Sequence, residues 1–288
     1  MTLPSAARIV EVGPRDGLQN EKRYFDIGVR TQLINMLADA GISHIEAGSF
    51  VSPKWVPQMA NSDQVFTGIK RRSDTFYIAL VPNLQGFELA VQAQANEVAI
   101  FTSASEAFAQ KNTNCSIAEN LARFSPILTR AKQEGIPVRG YVSCISGCPY
   151  EGDIEPEAVA NLAAKLIAMG CYEISLGDTI GSARPEQTAQ ILKAVTQQVP
   201  VEKLAVHFHD TNGRALDNIR TALEFGVTVI DSAIAGLGGC PYAEGASGNV
   251  ASESVIALLN ELNIEHGIDL TKLLKASDFI QAALSKTQ

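Results

Sequence analysis

At 288 residues, 46% hydrophobic and 19% charged, the chain is long enough to bury a core that needs neither disulfides nor a structural metal. A formal net charge of −8 and a pI near 5.1 exclude the basic stripe that a nucleic-acid partner requires. No stretch approaches the roughly 18 consecutive apolar residues of a membrane span, so no membrane association is expected.

Five cysteines, at 115, 144, 148, 171 and 240, form no C-x2-C pair, which suits free thiols in a reducing compartment. Cys144 and Cys148 have no second Cys/His pair at zinc spacing, so no structural zinc is expected. The residues before the first apolar run, Ile9–Val12, carry neither a signal peptide nor a transit segment, and the expected location is the cytoplasm. The main cationic cluster, Lys70-Arg71-Arg72, is read as the end of a helix, where cations complement the dipole.

Short β-branched runs alternate with helical patterns along the chain. Strands are predicted at 8–13, 43–48, 76–81, 97–102, 137–143, 172–177, 204–209 and 227–235. Apolar spacing near 3.6 marks helices at Arg30–Ala40, Glu119–Lys132, Pro156–Met169, Pro185–Val199 and Arg214–Phe225. Several open on Pro or close on Gly, as at Gly41, Gly135, Gly170 and Gly226. Eight strands, each followed by a helical stretch, predict a parallel sheet with crossover helices. Periodicity alone leaves an open doubly wound sheet possible. The count of eight, and the lack of a Gly-rich phosphate fingerprint after the first strand, favour an α/β fold of the (β/α)8 TIM-barrel type. One domain is expected over 1–288, with C-terminal helices at about 250–285 completing or flanking the barrel. Its active site would lie at the C-terminal ends of the strands, where the βα loops gather.

The unusual polar residues fall at those ends. Strand 1 runs into Gly13-Pro14-Arg15-Asp16-Gly17. Asp16 could cap the following segment beside a structural salt bridge. It could equally be a hard oxygen ligand, with Arg15 a planar donor to a carbonyl or enolate. Glu46 closes strand 2 and Asp178 strand 6; each suits a rim carboxylate or a capping group, the capping reading being stronger for Asp178. In strand 7 the alternation puts His207 and His209 on one face, pointing into the barrel mouth. Two core histidines bonded to neighbouring strands are the bland alternative, but paired imidazoles at this position favour a metal ion.

After strand 8 comes a stretch rich in glycine, with Gly236, Gly238, Gly239, Gly245 and Gly248 around Cys240. A thiol in such a loop is unlike an inert core cysteine. Asn249 is either the N-cap of a helix Val250–Leu262 or a carbonyl donor completing a metal shell. Arg139 and Glu173, inward-facing and below the rim, are read as a structural ion pair.

Taken together, the runs Val12–Glu21, Glu46–Pro57, Ser175–Gly181, His207–Arg214 and Ala233–Tyr242 closely resemble the 3-hydroxy-3-methylglutaryl-CoA lyase family, in the same order and over nearly the whole chain. The Arg-Asp-Gly-x-Gln and His-x-His elements are shared with a wider superfamily of metal-dependent barrels, including isopropylmalate and homocitrate synthases. The Gly-Leu-Gly-Gly-Cys-Pro-Tyr loop points to the lyase branch. The resemblance implies cleavage of 3-hydroxy-3-methylglutaryl-CoA to acetyl-CoA and acetoacetate, a reaction of leucine degradation and ketone-body formation, with an acyl-CoA substrate and a homodimeric assembly. It implies that Asp16, His207, His209 and Asn249 hold a divalent metal, Mg2+ or Mn2+. It makes Arg15 the residue that contacts substrate and Cys240 the catalytic thiol, with Glu46 and Asp178 assisting proton movement. His207 or Asp178 would take the proton from the substrate hydroxyl. No cysteine follows Cys240, so the thiol control between subunits of the animal lyases is not expected. A larger 3-hydroxy-3-alkylglutaryl-CoA, a Claisen-condensing acyl synthase and a non-catalytic acyl-CoA or metal sensor are the alternatives. Lys22 is the one candidate for the CoA nucleotide.

Overall fold

The computed structural model describes residues 3–239 and 248–285. Eight parallel strands close into a barrel: β1 (Arg8–Glu11), β2 (His44–Ser49), β3 (Phe76–Leu80), β4 (Glu97–Ser103), β5 (Val138–Ser143), β6 (Glu173–Asp178), β7 (Leu204–Phe208) and β8 (Val229–Ser232). Each strand pairs with its neighbours in sequence, and β8 returns to β1 through Arg8 opposite Val229. The sheet is therefore the closed one.

The helices form where caps and periodicity agree. In α1 (Ile27–Asp39) the Asp26 carboxylate accepts from the Val29 amide at 2.8 Å. α5 (Ile117–Glu134) opens with a reciprocal Ser116–Glu119 capping box and closes on Gly135, whose φ of 68° suits a residue without a Cβ. α6 (Pro156–Met169) and α7 (Pro185–Val195) begin on proline. α2 (Ser62–Gly68), α3 (Leu84–Gln92), α4 (Glu106–Thr113), α8 (Ala215–Glu224), α9 (Ser252–Glu261) and α10 (Leu270–Ser285) complete the layer, and α10 packs on α1.

Three boundaries differ from the sequence reading. β8 stops at Ser232, because the chain turns through Ile234–Gly236 with Ala235 at φ 56°. α9 begins at Ser252 with Ala251 as its N-cap residue, so Asn249 is not a helix cap. Lys70-Arg71-Arg72 lies beyond the end of α2 rather than in it. There Arg72 pairs with Asp74 and Asp39, and Arg71 stands over the Tyr77 ring.

The outer faces of the strands are apolar and buried against the helices, but the barrel interior is strongly polar. Alternation turns Arg8, His44, Glu173, Arg139 and Asp231 inward, and they bond to one another across the barrel. Arg139 donates to Glu173 at 2.7 Å and to both oxygens of Asp231, at 2.9 and 2.7 Å. Arg8 pairs with Glu173 and donates to His44 Nε2 at 2.8 Å. The expected Arg139–Glu173 pair is thus one link of a longer chain of charges.

That chain gives His44 a neutral ring. Its Nε2 faces a guanidinium donor, so its proton sits on Nδ1, beside Ser43 Oγ at 3.0 Å. Burial, then Arg8 and Arg139, push its pKa down to about 3; Glu97, 3.6 Å away, does not offset them. The folded state refuses a proton that the unfolded chain accepts near pH 6.5. The stability that the neutral ring contributes is therefore complete above about pH 6.5 and is lost as pH falls from there toward 3. The expected slope is at most about 1.4 kcal/mol per pH unit. In urea titrations over this window His44→Gln should flatten the slope by about one proton; an unchanged slope would contradict the assignment.

Candidate active site

The site is built at the C-terminal rim of the barrel. After β1 the chain winds through a wide turn, Gly13–Gly17, in which the amides of Arg15, Asp16 and Gly17 converge on the Val12 carbonyl at 3.1, 2.7 and 3.2 Å. The turn aims Arg15 and Asp16 into the barrel mouth. Gly17 is required by close approach: a Cβ there would lie 2.5 Å from the Leu237 Cβ. The loops after β1 and β8 are thereby pressed together. Glu11 ties them further, accepting from the Gly13 and Ile234 amides at 2.8 Å each and from the Ser252 hydroxyl at 2.5 Å. Burial pushes its pKa up to about 7 despite those donors.

Arg15 is held by two carboxylates. Its Nε and Nη2 donate to one oxygen of Glu46 at 2.7 and 2.6 Å, and its Nη1 donates to Asp16 at 2.6 Å. Glu46 faces inward just before a register shift in β2. It is fully buried, and its second oxygen has no partner among the described residues. Burial raises its pKa although Arg15 opposes the shift. Arg15 lines the cavity and Glu46 does not, so Glu46 acts on the site by orienting Arg15.

Asp16 uses its other oxygen to accept from the Asn249 amide at 2.8 Å, and the same oxygen lies 4.0 Å from His207 Nε2. Burial opposes its charge, but Arg15, His207 and Asn249 bring its pKa down to about 2. Asn249 is placed by a bridge to His209 and a second bond to the Leu237 carbonyl at 3.2 Å. Asp16, His207 and His209 can present one ligand atom each, all within 4.8 Å of one another. Among the described residues His209 Nδ1 is buried with no partner, an arrangement that ordinarily costs about 1–3 kcal/mol. Burial, then His207, lower the His209 pKa to about 4, so its ring is neutral and able to ligate. Carboxylate, two imidazoles and a neighbouring amide fit a divalent cation that takes oxygen and nitrogen donors.

The site opens into a cavity of about 730 Å³. Arg15, His207 and His209 line it together with the exposed Trp55, Lys111 and Arg123. Lys22 is exposed and does not line this cavity; the sequence reading missed Lys111 and Arg123 because they lie on or near α4 and α5, away from any strand end.

Asp178 is not brought to the cavity. It is buried, and its oxygens accept from the Ser146 hydroxyl at 2.6 Å and from the Ser182 and Ala183 amides at 3.2 and 2.9 Å. Only its neighbours Gly177 and Thr179 line the opening. The capping role is the one its geometry carries. Cys240 lies outside the described residues. Asp231 and Tyr141 were not singled out from sequence. Asp231 lies 3.3 Å from His207 Nδ1, and Tyr141 lies beneath Arg15, with its ring centroid 5.9 Å from the guanidinium carbon. The signal for Asp231 was its inward parity and its register opposite His207.

Residues 6–280 match the model of the family described as HMGL-like. The chain belongs to the HMGL-like family. Enzymes of the HMGL-like family are metal-dependent, which agrees with the donor set on the rim. The HMGL-like chain is 55% identical over its full length, and over 96% of the relative, to a Pseudomonas aeruginosa protein named 3-hydroxy-3-isohexenylglutaryl-CoA/hydroxy-methylglutaryl-CoA lyase. It is 57% identical to the mitochondrial hydroxymethylglutaryl-CoA lyase of Bos taurus, over 99% of this chain and 88% of that one. The crystal structure of hydroxymethylglutaryl-CoA lyase from Pseudomonas aeruginosa superposes with a TM-score of 0.97 at 55% identity, covering all of this chain and 96% of that one. An HMG-CoA lyase from Acinetobacter baumannii, solved with coenzyme A and 3-methylmalate, gives a TM-score of 0.93 at 39% identity over 99% and 93% of the two chains. No helix among the described residues is long and apolar enough to cross a membrane.

Proposed function

We propose that this protein cleaves 3-hydroxy-3-methylglutaryl-CoA to acetyl-CoA and acetoacetate, using Mg2+ or Mn2+ held by Asp16, His207, His209 and Asn249. The observation that carries the reading is the meeting of Asp16, His207 and His209 beside a doubly held arginine, in a chain more than half identical end to end to lyases of that name. The reaction is a retro-Claisen cleavage. The C3 hydroxyl loses its proton, the C2–C3 electron pair passes to C2, and C3 becomes the ketone of acetoacetate. C2 then takes a proton and becomes the methyl group of acetyl-CoA. When bound, the cation supplies Lewis acidity that makes a substrate hydroxyl easier to deprotonate.

The protein's own groups do the rest. Arg15 has donors left over after Glu46 and Asp16, and it stabilises the thioester enolate through charge-assisted hydrogen bonds. Glu46 fixes the guanidinium plane, so the donors are aimed before the substrate arrives. Lys111 and Arg123 supply the cations for the phosphates of CoA. Of the two groups considered for the hydroxyl proton, His207 lines the cavity and Asp178 does not; His207 takes that proton only while its Nε2 is not engaged by the cation, and Asp178 is kept as the alternative. The family resemblance also supports a homodimer, and a cytoplasmic location accords with the Danio rerio relative named as cytoplasmic.

Cys240 is assigned the protonation of C2, a role carried by its loop's resemblance to lyases. Cys240→Ala should leave ion and acyl-CoA binding nearly intact while kcat falls by about 10²-fold. Turnover within a few-fold of the parent protein would remove the thiol from the reaction. A condensing synthase uses the same ion and arginine but offers no use for that thiol.

A further inference from the structure

The strand just below the metal ligands carries a carboxylate that the reaction as written does not use. Asp231 is fully buried at the centre of β8. Its Oδ1 accepts from Arg139 Nη2 at 2.7 Å; its Oδ2 accepts from Arg139 Nη1 at 2.9 Å and from Ser175 Oγ at 2.8 Å, and faces His207 Nδ1 at 3.3 Å. Arg139 is pinned in turn by Glu173 at 2.7 Å and donates to the Tyr141 hydroxyl at 2.9 Å. Asp231 therefore cannot turn away from His207 without breaking two bonds to a buried guanidinium and leaving it only the Glu173 carboxylate, a loss of the kind that destabilises a core.

We infer that Asp231 is a positioning residue that holds His207 as the Nδ1–H tautomer, so that the Nε2 lone pair faces Asp16 and the cation site. With its other close contacts all donors, the Asp231 carboxylate can engage the ring only by accepting, so the ring proton must lie on Nδ1. Nε2, 4.0 Å from the Asp16 carboxylate, then carries the lone pair a cation needs. A histidine ligand whose far nitrogen donates to a carboxylate is oriented and made more basic by it. His209 contrasts with it: its Nδ1 is buried with no partner among the described residues. Among the described residues the two ligands are thus unequal, His207 fixed in advance by the barrel's ionic interior and His209 without such a tether.

This inference rests on the reading that His207 ligates the cation, and the tests separate the two. Mn2+ binding, followed by the electron paramagnetic resonance of the free ion, should weaken strongly in His207→Ala; an unchanged affinity there would sink the ligand reading itself. Asp231→Asn keeps the shape but replaces the carboxylate with a neutral amide, a weaker acceptor for the ring Nδ1–H. Its Mn2+ affinity should fall by about 10- to 100-fold, measured on protein shown to be folded by circular dichroism. Ser175→Ala, which removes one bond to Asp231 but none to the ring, should change affinity by less than about threefold. A His207 effect without an Asp231→Asn effect would overturn the inference alone. Should Asp231→Asn not fold, the parent protein still decides the matter. In metal-free, alkaline buffer, where the ring is neutral, ring-nitrogen resonances of 15N-histidine-labelled protein should show His207 protonated on Nδ1. A proton on Nε2 would overturn the proposal.

Discussion

Arg15→Lys should lower kcat for cleavage of the acyl-CoA by about 10²–10³-fold, the scale of losing a preorganised donor to a developing oxyanion. The reason is geometric. The guanidinium meets Glu46 with two nitrogens and Asp16 with a third at 2.6–2.7 Å, and still has N–H bonds to spare. An ammonium offers three donors from one point and cannot satisfy both carboxylates and the substrate together. Glu46, without a partner on one oxygen among the described residues, would lose the guanidinium that holds the other. Steady-state kinetics should place the loss in kcat rather than KM, with Mn2+ affinity nearly unchanged. A kcat within threefold of the parent protein would show that Arg15 serves the fold and not the enolate.

The second large effect is expected at His209. His209→Ala should weaken binding of Mn2+ by more than about 10²-fold and reduce turnover at low ion concentration in proportion, since one of few protein ligands is lost. Its ring is neutral at neutral pH, with a pKa pushed down to about 4 by burial and by His207, so the parent site binds without first expelling a proton from it. His207 differs, because the Asp231 hydrogen bond and the Asp16 charge outweigh its burial and raise its pKa. Acidification should therefore weaken ion binding first through His207. Folding stability should suffer less from His209→Ala than a buried truncation usually implies, because the variant also removes an unsatisfied nitrogen. A large drop in melting temperature with unaltered ion affinity would assign His209 to the core instead.

Much of this was readable from the residues. The alternation of strands and helices gave eight βα units, and two-residue parity placed His207 and His209 on one inner face, while Val206 and Phe208 went to the buried outer one. Arg15, Asp16 and Glu46 were found because strand ends are where a barrel exposes polar side chains. What stayed hidden depends on contacts between distant strands. Asp231 pairs with Arg139 across 92 positions of sequence, and nothing in the β8 run marks an aspartate as bonded rather than solvated. Asp178 illustrates the opposite case. A carboxylate at a strand end reads as a rim group, yet the following amides of Ser182 and Ala183 fold back and engage it. Whether a carboxylate faces a cavity or caps a loop is decided by the path of the next few residues, which periodicity does not describe.

The central claim, metal-dependent cleavage of the carbon–carbon bond, is tested most directly by incubating the purified protein with 3-hydroxy-3-methylglutaryl-CoA and Mg2+ and measuring both products. Acetoacetate and acetyl-CoA should appear in equal amounts, cease on chelation and return when Mg2+ or Mn2+ is restored. Formation of neither product with the ion supplied, or equal rates with and without it, would contradict the account.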